Sequence, residues 1–224
     1  QVVATFTPLQ NSALELMQRK PEVTLVAPKV ENWPSRRSIG SLSTQSQRLS
    51  IFGVLGILPS AESNTTGFDK LVAEGRYLYD DEEDSILISL RAAEALNVSV
   101  GERLVLRIGS STIGVKLVGL LDDSGFSQMT DFDGSPIMPK KLIIRVEEGV
   151  LVEARIDPCE PSEVVVTDWQ TALKLSSLIS LSRIDALVES SVSLIPYARQ
   201  IALEGGYWVW AAAAGRVNLM GLMY

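Results

Sequence analysis

Apolar residues in this chain fall in short runs, and their period switches between two and three-to-four along its length. Val2–Thr7 is β-branched and aromatic and reads as a strand that Pro8 ends. Asn11 or Ser12 then caps a helix carrying Leu14 and Met17, and Pro21 closes it. Val23–Val30 is the next strand. Ser35–Gln47, rich in Ser and Gln, reads as a polar loop or exposed hairpin, and Leu49–Leu58 as one buried strand.

The middle of the chain alternates with period two. Ile86–Ser89 reads as a short strand and Arg91–Leu96 as a short helix, broken by Asn97 and Gly101. Leu104–Ile108 and Thr112–Leu121 flank Gly109-Ser-Ser111, a hairpin signal. Asp122–Pro139 is heavy in Asp, Gly, Ser and Pro and reads as a loop. Leu142–Val146 and Val150–Ile156 surround Glu147-Glu-Gly149 as a second hairpin.

After Pro158 the texture changes. Val164–Val166 and Ile184–Val188 read as strands. Asp168 caps a helix with Trp169, Ala172, Leu173 and Ile179 at helical spacing. Ser193 caps another bearing Leu194, Ala198, Ile201 and Ala202, which Gly205-Gly206 ends. Gly205–Tyr224 reads as two short strands around a turn, because Arg216, Asn218 and four glycines interrupt it. The expected fold class is α+β: a βαβ unit at one end and βαβαβ at the other form an α/β layer, with a β-rich insert between them. The boundaries fall at 1–66 and 157–224 for the layer and 67–156 for the insert.

Composition excludes several chemistries. There is no histidine among the 224 residues, which removes Ser-His and Cys-His pairs and histidine metal sites. The lone Cys159 rules out an internal disulfide or a CxxC module, and acids at Asp157 and Glu160 would raise its pKa rather than activate it. Net charge −7 disfavours gripping a phosphate backbone, so nucleic acid is not an expected partner. No phosphate-cradling glycine motif, G-x-S-x-G or S-x-x-K occurs. Asp80–Asp84 reads as a solvated acidic turn, since consecutive acids on an extended chain point in alternating directions. Asp131-Phe-Asp133-Gly134 resembles part of a calcium loop, but Lys140 stands where the twelfth position needs an acid. No catalytic, cofactor or metal residue is expected. Asn64-Thr-Thr and Asn97-Val-Ser fit the glycosylation sequon and mildly favour an exported chain. Trp208 and Trp210, at i and i+2 of one strand, are candidate partner-facing residues together with Asp131 and Asp133. The loops 35–47 and 122–139 are the expected mobile tips.

An ordered series then stands out. It comprises Leu71-Val-Ala-Glu-Gly-Arg-Tyr-Leu78, the acids Asp80–Asp84, Ile88-Ser-Leu-Arg-Ala-Ala-Glu-Ala-Leu-Asn-Val-Ser-Val-Gly101-Glu-Arg-Leu-Val-Leu106, and Gly114-Val-Lys-Leu-Val-Gly-Leu-Leu-Asp122. Ile51-Phe-Gly-Val-Leu-Gly-Ile-Leu-Pro59 precedes it. The series resembles the extracytoplasmic domain of MacB/FtsX-type ABC transporter permeases over residues 1–156. The resemblance implies a porter-like α/β subdomain built from both chain ends, a β-rich insert, and a non-enzymatic role outside the membrane. It also implies membrane helices outside this sequence, matching the excised-looking start at Gln1. Through them the domain would follow a cognate ATPase subunit. A second permease copy and an extracytoplasmic substrate or partner protein are the other implied partners. The alternatives are a free-standing exported or cell-surface module for carbohydrate, peptide or lipid, and a carboxylate enzyme such as a glycosidase.

Overall fold

The structure is a computed structural model. It describes residues 9, 11–131, 134–147, 150–191, 193–205, 208–212 and 216–220. The expected strand Val2–Thr7 lies outside the described residues. The chain is α+β, as its mixed periodicity implies.

Helix α1 (Asn11–Gln18) buries Ala13, Leu14 and Met17, at i, i+1 and i+4 on one face. It leads into β1 (Val23–Asn32). The Ser/Gln-rich stretch is half hairpin: β2 (Gly40–Ser43) pairs with β3 (Arg48–Ile51), and Leu42 is buried. Leu49–Leu58 is two strands rather than one. β3 ends at Ile51 and β4 (Gly53–Ile57) begins after Phe52, whose N–H donates to the Glu163 carbonyl at 2.9 Å. A helix not expected from the sequence follows, α2 (Pro59–Thr65), started by a proline at its first position.

Next come a 3-10 turn at Phe68–Leu71, β5 (Val72–Gly75) and β6 (Ser85–Ser89). In α3 (Leu90–Leu96) the Ser89 hydroxyl caps the Ala92 N–H, and Asn97 closes the helix in the left-handed conformation, φ 52°. β7 (Arg103–Ile108) and β8 (Ser111–Leu121) form the expected hairpin. The expected loop 122–139 contains α4 (Asp123–Gln128), capped by the Asp122 carboxylate on the Gly125 N–H. Phe126, Ile137 and Met138 anchor this stretch in the core, so it is not the loose tip its composition suggests. Three apolar residues spaced among polar ones left no periodic trace.

β9 (Lys140–Glu147) and β10 (Val150–Pro158) pair as a separate two-stranded ribbon. β11 (Val164–Asp168), α5 (Trp169–Leu175), β12 (Ile179–Val188), α6 (Leu194–Gly205), β13 (Trp208–Ala212) and β14 (Arg216–Met220) complete the chain. As read from sequence, Asp168 caps α5, accepting from the N–H groups of Gln170 and Thr171.

Twelve strands form one mixed sheet in the order β13-β14-β12-β1-β4-β11-β6-β8-β7-β2-β3, with β5 beside β8. The parallel pairs are β4 with β11 and β6 with β8. The sheet curls until its last strand, β3, runs on through Phe52 into the central β4. Strands from 67–156 join those of both chain ends directly, β6 bonding β11. All five residues of β4, β6 and β11 are buried because both faces are covered. One face, with Val54, Ile86, Ile88 and Val165, packs α1, α3, α5 and α6. The other, with Leu55, Leu87, Val164 and Val166, packs Phe68, Phe126, Ile137 and Met138. Gly56 permits the tight seat of α5, since a Cβ there would lie 2.6 Å from the Ala172 Cβ. No helix among the described residues is long and apolar enough to cross a membrane.

Candidate functional site

β1 runs apolar from Leu25 to Pro28 and then carries Lys29, which is 1% exposed. In antiparallel register Lys29 sits opposite Arg183 of β12, and Ala27 opposite Asp185. Antiparallel partners share a face, so residues two apart on these strands collect on one side of the sheet. α2 lies over that side and contributes Glu62, which is fully buried. The segment before β9 contributes Asp131 and Ser135.

The Lys29 Nζ lies 3.2 Å from Glu62 Oε2, 2.9 Å from Asp131 Oδ2, and in close contact with Asp185 Oδ2. Arg183 Nη1 approaches the same Asp131 oxygen at 2.7 Å, and its Nη2 donates to the Ser135 hydroxyl at 2.9 Å. Thr66 donates its hydroxyl to Glu62 at 2.7 Å, and Ser182 donates to Glu31 at 3.2 Å. Burial alone would lower the Lys29 pKa, but Asp185, Glu62 and Asp131 together hold the ammonium above its ordinary range. Burial would raise Asp131, yet Lys29 and then Arg183 hold it well below the usual carboxylate range. Burial pushes Asp185 up to about 7 and also pushes Glu31 up. The carboxylates converge on an ammonium, so the arrangement ties β1, β12, α2 and the Asp131 segment together.

Sequence reasoning placed Asp131 outward, facing a partner. The structure places it inward, at 6% exposure, where Lys29 and Arg183 offset its charge. It missed Lys29, Glu62, Arg183 and Asp185. A signal existed for two of them: a lysine inside the strand run Val23–Val30, and an aspartate inside Ile184–Val188. Asp133 lies outside the described residues. Trp208 and Trp210 stand on the edge strand β13, their backbones opposite Met220 and Asn218. Asn218 is in turn opposite Asp185, so Trp210 shares a register row with the cluster, two strands away.

The outer surface offers a second feature. Register puts Leu142, Ile144, Val146, Ala154 and Ile156 on one face of the β9–β10 ribbon. Lys141, Arg145, Glu153, Arg155 and Asp157 occupy the other together with Ile143, and Arg155 forms ion pairs with Glu153 and Asp157. Val146 and Ile156 are 48% and 45% exposed. A backbone bridge at Ser35 and Lys141, and the 2.5 Å Lys141–Glu163 ion pair, tether the ribbon's base. Cys159 at that base is buried, and burial followed by Glu163 pushes its thiol up to about 12, as expected for an inert residue. Asp80–Asp84 is an exposed turn apart from half-buried Glu82, which pairs with Arg76; Glu83 pairs with Lys174.

A curled mixed sheet, helices from both chain ends on one face and a projecting ribbon together define a fold found in extracytoplasmic domains of ABC transporters. The periplasmic region of MacB from Actinobacillus actinomycetemcomitans is similar at TM-score 0.56 and 11% identity, over 96% of this chain and 80% of that one. The extracellular domain of the noncanonic ABC-type transporter YknZ from Gram-positive bacteria is similar at TM-score 0.51 and 14% identity, over 95% and 96%. No protein-family model and no curated protein matches by sequence.

Proposed function

We propose that the chain is the extracytoplasmic domain of an ABC transporter permease. In this reading it engages a substrate or partner protein outside the membrane and couples that engagement to ATP-driven motion of membrane helices beyond this sequence. The reading rests on one observation above others: two transporter domains share its fold over nearly its whole length, and one of them, from MacB, is of the family that the ordered motif series resembles. Its role is mechanical and recognitive rather than catalytic. The partner-facing surface includes the exposed apolar face of the β9–β10 ribbon and the edge strand bearing Trp208 and Trp210.

The test uses the full-length protein in its own membrane. The coding sequence on both sides is read for apolar spans of about 20 residues. Val152→Cys on the ribbon is then labelled in intact cells with a membrane-impermeant maleimide. Buried Cys159 supplies a silent background. Flanking spans, surface labelling and co-purification of an ATPase subunit are expected. A signal peptide with no span on either side would favour a free-standing exported module and overturn the proposal. Labelling only after lysis would overturn it as well.

A further inference from the structure

Three buried carboxyl groups, two buried cations and the half-buried Glu31 gather beneath α2. β1 supplies Lys29 and Glu31, α2 supplies Glu62, β12 supplies Arg183 and Asp185, and the segment before β9 supplies Asp131. Lys140 of β9 faces Glu31, and the buried Tyr77 phenol faces Glu62. With every carboxyl ionised, four negative charges would meet three positive ones, Lys140 included. Unbalanced charge in a low-dielectric interior is strongly disfavoured, so protons restore the balance. The Asp131 and Asp185 carboxylates are drawn together on one ammonium, with Lys29 Nζ 2.9 Å from Asp131 Oδ2 and in close contact with Asp185 Oδ2. Two carboxylates sharing a site repel, and a proton on the pair relieves that repulsion.

We propose that this cluster is a proton-linked clamp: a proton held by the Asp131–Asp185 pair beside Lys29 keeps the chain at Asp131 and Ser135 against β1 and β12, and its loss loosens that hold. The backbone around Asp131 makes the side chain a suitable anchor. The Asp131 N–H donates to the Ser135 carbonyl at 2.8 Å, and the Gly134 N–H to the Asp131 carbonyl at 2.9 Å. The Ile137 N–H returns to the Met129 carbonyl at 3.1 Å. These bonds link Asp131, Gly134, Ser135, Ile137 and Met129 to one another, and the Asp131 carboxylate and the Ser135 hydroxyl tie them to Lys29 and Arg183.

The two aspartates set opposite limits. Burial raises Asp185 to about 7 in the folded chain, so the folded state holds a proton that the unfolded chain releases near pH ~4. That contribution is complete in acid and is lost as pH rises through about 7. Asp131 is depressed, so its pairing with Lys29 and Arg183 is lost only in strong acid. The clamp is therefore tightest in mildly acidic surroundings, and this conclusion does not depend on the transporter reading.

Amide exchange of the 224-residue chain, corrected for the intrinsic pH dependence, tests the clamp. Between about pH 5.5 and 8.5, opening at Gly134 and Ile137 is expected to rise about tenfold or more, while Val165 and Val166 of central β11 do not change. Asp185→Asn, a neutral isostere, should abolish the dependence. Side-chain carboxyl NMR of the wild type should show an aspartate with a midpoint near 7. Invariant exchange in the wild type, dependence retained in D185N, or every aspartate titrating below about pH 5 would overturn the clamp. The exchange and NMR measurements on the wild type decide the matter even if the variant does not fold.

Discussion

Replacing Lys29 by Met keeps most of the volume and removes the charge on which three carboxylates converge. The side chain is 1% exposed, Glu62 and Asp185 are fully buried, and Asp131 keeps a second cation, Arg183 at 2.7 Å. Removing one member of a buried ion pair costs about 3–5 kcal/mol. That is a large share of a typical total of about 5–15 kcal/mol. With a urea slope of about 2 kcal/mol/M, the unfolding midpoint should fall by about 1.5–2.5 M near neutral pH. The loss should shrink in acid. With Lys29 gone the buried carboxyls rise further, so the folded variant takes up a proton beyond the one the folded wild type holds. Each such proton recovers at most about 1.4 kcal/mol per pH unit as pH falls toward the unfolded value of ~4. Adding Glu62→Gln and Asp185→Asn should restore most of the stability, because a neutral cluster has no charge left unpaired. Urea titrations at about pH 5 and 7.5 measure this. A midpoint shift under about 0.5 M at the higher pH, or equal losses at both, would refute the reasoning.

Phe126→Ala should destabilise by about 3–5 kcal/mol, since Phe126 is fully buried with its ring edge-on to Phe68 at 5.5 Å; chemical denaturation would read it. A loss below about 1 kcal/mol would return 122–139 to a loose loop. Gly56→Ala should cost about 1–3 kcal/mol, because its Cβ would meet the Ala172 Cβ at 2.6 Å and the Trp169 Cα at 3.0 Å; the melting temperature checks this. Ile156→Ser on the exposed ribbon face should alter stability by no more than about 0.5 kcal/mol while weakening capture of the extracytoplasmic partner, a split seen by pairing thermal melts with co-purification. Cys159 should react slowly with a thiol reagent at about pH 8 in the native chain and fully after unfolding, because burial and Glu163 oppose thiolate formation.

Local chemistry carried much of the secondary structure. Asp168 as a helix cap, Asn97 as a helix stop and Gly109-Ser-Ser111 as a hairpin turn act through neighbouring backbone groups, so the sequence shows them directly. The α+β class follows from the same local periods, and the ordered motif series pointed to the fold that the two transporter domains share. What escaped depends on contacts across the chain. The break at Phe52 arises because β3 pairs with β2 at one end of the sheet and β4 with β1 and β11 at its centre. Phe126, Ile137 and Met138 become core only because β4, β6 and β11 present a second apolar face to them. Asp131 looked like a surface acid, since no lysine or arginine lies within eight residues of it. Lys29, 102 residues away, and Arg183, 52 residues away by numbering, do so. The sequence by itself settled caps, turns, periods and the excluded chemistries, each a matter of a few adjacent residues. Only the tertiary structure decided which charges are buried together, because a charge tolerates a dry interior only beside partners that the fold alone delivers.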